Sequence, residues 1–327
     1  MSINRVAILG ASPLCLFRAV SEASEGRMVT IYEKSVALGG AWCTRELFGV
    51  DRVDGKSHIW APQYKNKSYE EVLEGLRSKL GICVEPLAPD AVYPTPAGEA
   101  SEIGITAFYP ARGMSEILDR LEGTLRDLKV VIRMGQSVTS IRGTSEAVIV
   151  NHSSGEDRHD VLYLPSYVRL GSLDLDGEPY AIPFEDRCSV HLNLLVDRPV
   201  GFSYLEVPKN ITYLDRLSDV SRCFQGQPCL SASFAAVNAR VSYAGKELLA
   251  NKGCETFVKT AVEELISGGY LDCTSQIIRH DFTEYTTAYR NESAKRRLYE
   301  LESDRIKVIY TEQLMEGLRN STLPILG

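Results

Sequence analysis

The chain has 327 residues, of which 44% are hydrophobic and 24% charged, with a formal net charge of −7. Such a composition excludes a disordered chain, and the acidic balance excludes a general attraction to nucleic acid or anionic lipid. Its length suits two domains or one large α/β domain with an insertion, and no apolar run approaches the roughly 20 residues of a membrane span.

In chain order, Val6-Ala7-Ile8-Leu9 is an unbroken apolar run, as expected of a strand buried on both faces of a parallel sheet. It ends at Gly10. Pro13 sits where a first helical turn begins, and Leu14, Leu16, Phe17 and Val20 follow at helical spacing. A second run, Met28-Val29-Thr30-Ile31-Tyr32, ends in Glu33. Strand, turn, helix, strand and acid in this order place a phosphate at a helix N-terminus and a carboxylate within reach of a ribose hydroxyl, which is the physical content of the dinucleotide fingerprint. The fingerprint asks for glycine at three places, and Gly10-Ala11-Ser12-Pro13-Leu14-Cys15 supplies only the first. Ser12 brings a Cβ and a hydroxyl into the phosphate groove, and Cys15 thickens the helix–strand contact by a sulfur.

After Glu33 come six residues and then Gly39-Gly40-Ala41-Trp42. This stretch resembles the second half of the FAD-binding signature used by the amine oxidase, protoporphyrinogen oxidase and UDP-galactopyranose mutase group of flavoproteins. The resemblance implies that the paired glycines pass close to the cofactor, and it makes Gly10, Ser12, Glu33, Gly39, Gly40 and Trp42 the expected cofactor contacts. Ser57-His58-Ile59-Trp60 is similar to the Gly-Pro-His-Ile-Phe loop of the mutase branch, which packs on the flavin ring. His58 is thereby expected near the ring, as a hydrogen-bonding or electronic influence; its alternative is a satisfied, partly buried histidine.

Ser68–Leu80 has helical spacing, and Pro86–Gly104, with its prolines and little periodicity, reads as a surface excursion or inserted segment. The series Ala107-Phe108-Tyr109-Pro110-Ala111-Arg112-Gly113-Met114, a helix, and strands near Val130, Val138, Val148 and Val161 resembles the same group. There Val138 matches a valine whose backbone meets the adenine. Arg112 replaces a glycine, either as a phosphate ligand or as a solvated loop side chain. Ser189–Val196 and Ile211–Leu217 alternate apolar and polar residues, which predicts strands with one buried face. Arg216 falls where the mutase branch has an arginine facing a nucleotide-sugar pyrophosphate, with a surface arginine as the alternative. Cys254–Ile266 is an amphipathic helix stopped by Gly268-Gly269. Tyr285 and Tyr289 resemble paired tyrosines near the substrate phosphates. The terminal strand Ile306–Tyr310 is followed by Thr311-Glu312, without the Gly-Arg turn of the group, so that Glu312 sets a negative charge at a helix start.

The resemblance implies an α/β fold: a doubly wound, Rossmann-like FAD/NAD(P)-binding parallel sheet with an inserted antiparallel β-rich substrate domain. Residues 1–85, 105–170 and 280–327 are expected in the first domain and 86–104 and 171–279 in the second. The expected function is a small FAD-dependent oxidoreductase or mutase acting on a small molecule, such as a nucleotide sugar or an amine, oriented by His58 and Arg216. The alternative is a degenerate relative that has lost FAD and binds a nucleotide or a partner. No nucleic-acid or membrane partner is expected, and an oligomer is left open. Eight scattered cysteines, without zinc spacing, read as reduced thiols of a cytoplasmic protein.

Overall fold

The structure, a computed structural model, describes residues 4–56, 77–78, 80–87, 91–94, 102–105, 108–206, 208, 210–221 and 234–310. The apolar run at the N-terminus forms strand β1 (Arg5–Leu9), which is buried from Val6 onward. It pairs in parallel with β2 (Met28–Tyr32) on one side and with β4 (Val161–Pro165) on the other. Strands β3 (Val131–Arg133) and β5 (Ile306–Ile309) extend the sheet in parallel at its two edges, so β1 is central in a five-stranded order β5-β4-β1-β2-β3. Central position and full burial explain why the run has no polar interruption.

Helices α1 (Pro13–Ser24), α2 (Met114–Asp127), α3 (Tyr243–Ser267) and α4 (Glu292–Tyr299) pack on the sheets. Because side chains alternate along a strand, Val6 and Ile8 of β1 join one core and Ala7 and Leu9 another. The first core includes Phe17 of α1 with Ile117 and Leu121 of α2. The second includes Ile141, Val148 and Val150 of a smaller five-stranded sheet, together with Leu298 of α4.

A seven-stranded sheet takes its strands in the spatial order Ile277–Tyr289, Glu185–Val196, Ala235–Val241, Leu214–Asp219, Tyr204–Glu206, Ala91–Pro94 and Glu102–Ile105. All its pairings are antiparallel except Leu205 with Val92. One face is covered by α3, whose Phe257, Ala261 and Leu265 pack on Val190, Leu192, Leu194 and Val196. The sheet thus belongs to the doubly wound fold with an antiparallel β-rich lobe that the sequence implies.

Two local readings change and one is extended. Within 86–104, Ala91–Pro94 pairs antiparallel with the strand Glu102–Ile105 at the edge of the large sheet, while Pro86 ends a strand paired with Phe108–Pro110; both prolines stand at strand ends, where a missing N–H is tolerated. The helix expected over Cys254–Ile266 is present, and across non-helical Gly253 (φ 81°, ψ 170°) it is preceded by a further helical segment from Tyr243. Alternation over Ser189–Val196 does not leave one face in water: His191 and Asn193 are both 0% exposed. A hairpin of strands Arg45–Leu47 and Val50–Val53, continuing into the turn at Asp54-Gly55-Lys56, lies against that face. Among the described residues no helix is long and apolar enough to cross a membrane.

Candidate functional site

The turn between β1 and α1 requires Gly10, which has φ +85°. Ser12 is the N-cap of α1, and its Oγ accepts a hydrogen bond from the Cys15 amide at 3.5 Å. Ala11 donates its amide to Glu33 Oε2 at 2.7 Å, and Ser35 donates to Glu33 Oε1 at 2.7 Å. The Glu33 carboxylate, 7% exposed, is therefore locked at the end of β2 by two backbone amides, with lone pairs to spare for further donors. Pro13 has no amide hydrogen and those of Ala11 and Cys15 are occupied. The Ser12 and Leu14 amides make no hydrogen bond among the described residues and remain as donors at the helix start.

Gly39 and Gly40 lie against this turn. Gly39 (φ +104°) donates its amide to the Ala11 carbonyl at 2.8 Å, and a Cβ there would meet Leu118 Cδ1 at 2.7 Å. Gly40 has φ +53°, and its Cβ would stand 3.2 Å from that of Ser12. Only glycine fits both positions without displacement, which is the physical content of the Gly-Gly pair. On the other side of Glu33, Gln136 donates its amide to the Glu33 carbonyl at 2.9 Å and leads the chain into Val138 at the start of a strand.

These pieces line one groove of about 1030 Å³. It is larger than most drug-sized pockets and suits an extended ligand. Contacts string its wall in order: Gln136 to Glu33, Glu33 to Ala11, Ser12 to Gly40, then Trp42 and Cys43, and finally Lys56 beside Tyr285, with the Lys56 Nζ 5.1 Å from the Tyr285 ring centroid. Burial holds the Lys56 ammonium below its ordinary lysine pKa, against the opposing influence of Cys43 and Asp54.

Two features narrow the groove at the helix start. The hydroxyls of Ser12 and Tyr167 hydrogen-bond to each other. Burial raises the Tyr167 phenol, and it pushes the Cys15 thiol up to about 12, so both stay protonated and neither is a nucleophile at neutral pH. The segment carrying Tyr167 is pinned by Arg290, 3% exposed, which donates to the carbonyls of Ser166 (3.1 Å), Val168 (2.7 Å), Leu170 (3.1 Å) and Ile182 (3.4 Å).

Of the residues singled out from the sequence, Gly10, Ser12, Glu33, Gly40, Trp42, Val138 and Tyr285 line the groove, and Gly39 supports it from beneath. Arg216 stands behind the wall, donating from Nη2 to the Lys56 carbonyl at 2.8 Å. Tyr289 faces away, its ring centroid 3.1 Å from the Arg187 guanidinium carbon, and Arg112 is exposed outside the groove. His58, Thr311 and Glu312 lie outside the described residues. Lys56, Tyr167 and Arg290 carry no local sequence signal, because their partners are far away in the chain. Among the described residues no group of three or more His, Cys, Asp or Glu side chains is placed to hold a metal ion.

The fold is shared with solved structures of a mutase and of oxidases. Solved structures similar to the chain include a reduced UDP-galactopyranose mutase, at TM-score 0.67 and 11% identity over 98% of this chain and 90% of that one. A putrescine oxidase matches at TM-score 0.65 and 11% identity, over 98% and 97% of the two chains. The PF1083 protein of Pyrococcus furiosus matches at TM-score 0.62 and 14% identity, over 98% of each. No protein-family model and no curated protein sequence matches the chain.

Proposed function

We propose that the groove holds FAD and that the chain is a small flavin-dependent oxidoreductase or mutase acting on a small molecule. One observation carries this reading: the locked Glu33 carboxylate, the open amides at the start of α1 and the Gly39-Gly40 turn follow one another along a single groove. Their chemistry fits a dinucleotide. Glu33 accepts from the ribose hydroxyls, the Ser12 and Leu14 amides face the diphosphate, and the backbone at Val138 borders the adenine. Gly10, Gly39 and Gly40 keep side chains out of the cofactor's path, and Trp42 forms a wall. A flavin bound there supplies hydride transfer or adduct formation. The chain's own residues orient the substrate: Tyr285 from the groove wall and Arg216 through the Lys56 turn.

The second reading, a nucleotide- or partner-binding protein that has lost FAD, is favoured by the Ser12–Tyr167 contact, which sits where a diphosphate must pass. Flavin released on denaturing the purified chain separates the two. Near-stoichiometric FAD is expected, and replacing Ser12 and Cys15 with glycine should raise any partial occupancy. No flavin in either protein removes the oxidoreductase reading in favour of the second.

A further inference from the structure

The Asp54-Gly55-Lys56 turn is held by buried polar groups that have no other evident task. Asn238 Nδ2 donates to the Gly55 carbonyl at 2.9 Å and to Asn193 Oδ1 at 2.8 Å. Asn193 Nδ2 in turn donates to Thr283 Oγ1 at 3.0 Å. Arg216 fixes the Lys56 carbonyl, and Asp54, 1% exposed, accepts the Lys56 amide at 3.2 Å. A Cβ on Gly55 would meet Thr283 Oγ1 at 2.9 Å, so the turn has no slack. Burying this many polar side chains is costly unless every partner is present, and the result is a backbone that presents one side chain, Lys56, in the groove.

The Lys56 ammonium makes no hydrogen bond or ion pair among the described residues; its neighbour is the Tyr285 ring. The charges around it are accounted for. Arg45 is paired with Asp281 at 2.6 Å, Arg169 with Asp186 at 2.5 Å, and the Asp54 carboxylate is engaged by the Lys56 amide. Among the described groove residues the single carboxylate is Glu33, which belongs to the opposite end of the string of contacts. A cationic amine at the Lys56 end thus meets repulsion, with the nearby Asp54 carboxylate buried behind the groove wall and already hydrogen-bonded, whereas a carboxylate or phosphate meets a desolvated cation.

We infer that Lys56 is a specificity-determining residue that selects an anionic small molecule, one bearing a carboxylate or phosphate, and rejects amines. The inference rests on the proposed small-molecule groove and not on retention of FAD.

Benzoate and benzylamine are nearly equal in size and opposite in charge, which suits them to a groove whose lining includes the aromatic rings of Trp42, Phe184 and Tyr285. Their affinities are measured by calorimetry at neutral pH on the full chain as purified, with flavin content determined on the same samples. Wild type should bind benzoate more tightly than benzylamine. Lys56→Met should weaken benzoate by about tenfold to a hundredfold, as expected for losing a hydrogen bond to a charged group, and Lys56→Arg should restore most of it. The melting temperature of Lys56→Met should be unchanged or higher, because removing an unpaired, desolvated ammonium costs the fold nothing. Benzoate affinity unchanged in Lys56→Met, tighter binding of benzylamine than benzoate, or no saturable benzoate binding by wild type overturns the inference. A Lys56-dependent benzoate site in flavin-free protein leaves it standing while the FAD reading falls; flavin-loaded protein without that dependence does the reverse.

Discussion

Replacing Glu33 with alanine should destabilise the chain even without any ligand, because the carboxylate already serves two backbone amides. Both bonds are 2.7 Å long, to Ala11 and to Ser35. Ala11 is 0% exposed, so its amide loses its partner with no water to replace it, at a cost of about 1.5–3 kcal/mol for a hydrogen bond to a charged group. Ser35 is exposed and its amide is rehydrated, adding no more than about 0.5 kcal/mol. The total is about 2–3 kcal/mol, and Glu33→Gln, which keeps one acceptor oxygen, should lose about half of that. Urea denaturation of the ligand-free variants measures it. A Glu33→Ala chain within about 0.5 kcal/mol of wild type would show that the carboxylate does not organise the turn. Adenine-nucleotide binding should then fall by a further 1.5–3 kcal/mol or about that, since the ribose hydroxyls lose a charged acceptor.

Gly39→Ala forces φ +104° on a residue with a Cβ and drives it to 2.7 Å from Leu118, so a loss of about 1–3 kcal/mol is expected, together with reduced flavin content. A stability equal to wild type in chemical denaturation would refute the close approach. Arg290→Met keeps the apolar stem but strands four carbonyls, those of Ser166, Val168, Leu170 and Ile182. Amide exchange should accelerate over 166–170, while exchange in β1 stays slow; unchanged rates over 166–170 would refute the pinning role. Burial holds His159 below its ordinary pKa of 6.5, so the unfolded chain takes up a proton that the folded chain refuses, and stability falls as pH drops below 6.5. Asp157 is held below 3.8: burial opposes this, but the Tyr32 hydroxyl, Arg133 and His152 outweigh it, so its contribution persists to lower pH and is lost only as pH falls through the depressed value. His159→Phe should flatten the stability difference between pH 7 and 5, and an unchanged slope in urea titrations would refute the assignment.

The parallel sheet around β1 was legible because its signals are local. A short uninterrupted apolar run ended by Gly10 suits a doubly buried strand, and the interval from Gly10 to Glu33 fits one helix and one return strand, which is what β1, α1 and β2 show. The Gly-Gly pair was legible because glycine is the residue for which close approach and positive φ leave no substitute. The large antiparallel sheet and its surroundings were not legible, for reasons seen in single residues. His191 and Asn193 alternate with apolar neighbours and read as a water-facing edge. They are buried because the 54–56 turn, well over a hundred residues earlier, covers them. Arg290 looks like a charged residue before a helix, and the carbonyls it gathers are 108 to 124 residues away. Glu22 occupies a position on α1 that spacing alone assigns to a solvated face. It is 1% exposed, receives the Tyr163 hydroxyl at 2.7 Å and pairs with Arg18 at 2.6 Å and with Arg27. Charges buried in this way depend on partners from other elements, and periodicity carries no record of them.

The central claim is that an adenine dinucleotide lies along the groove from Val138 to Tyr285. Calorimetric titration of the flavin-free chain with FAD tests it most directly. Saturable binding of one FAD per chain, weakened at least tenfold in Glu33→Ala while Arg112→Ala binds as wild type does, is the predicted result, since Glu33 lines the groove and Arg112 lies outside it. No saturable binding of FAD by the wild-type chain, or binding indifferent to Glu33, would contradict it.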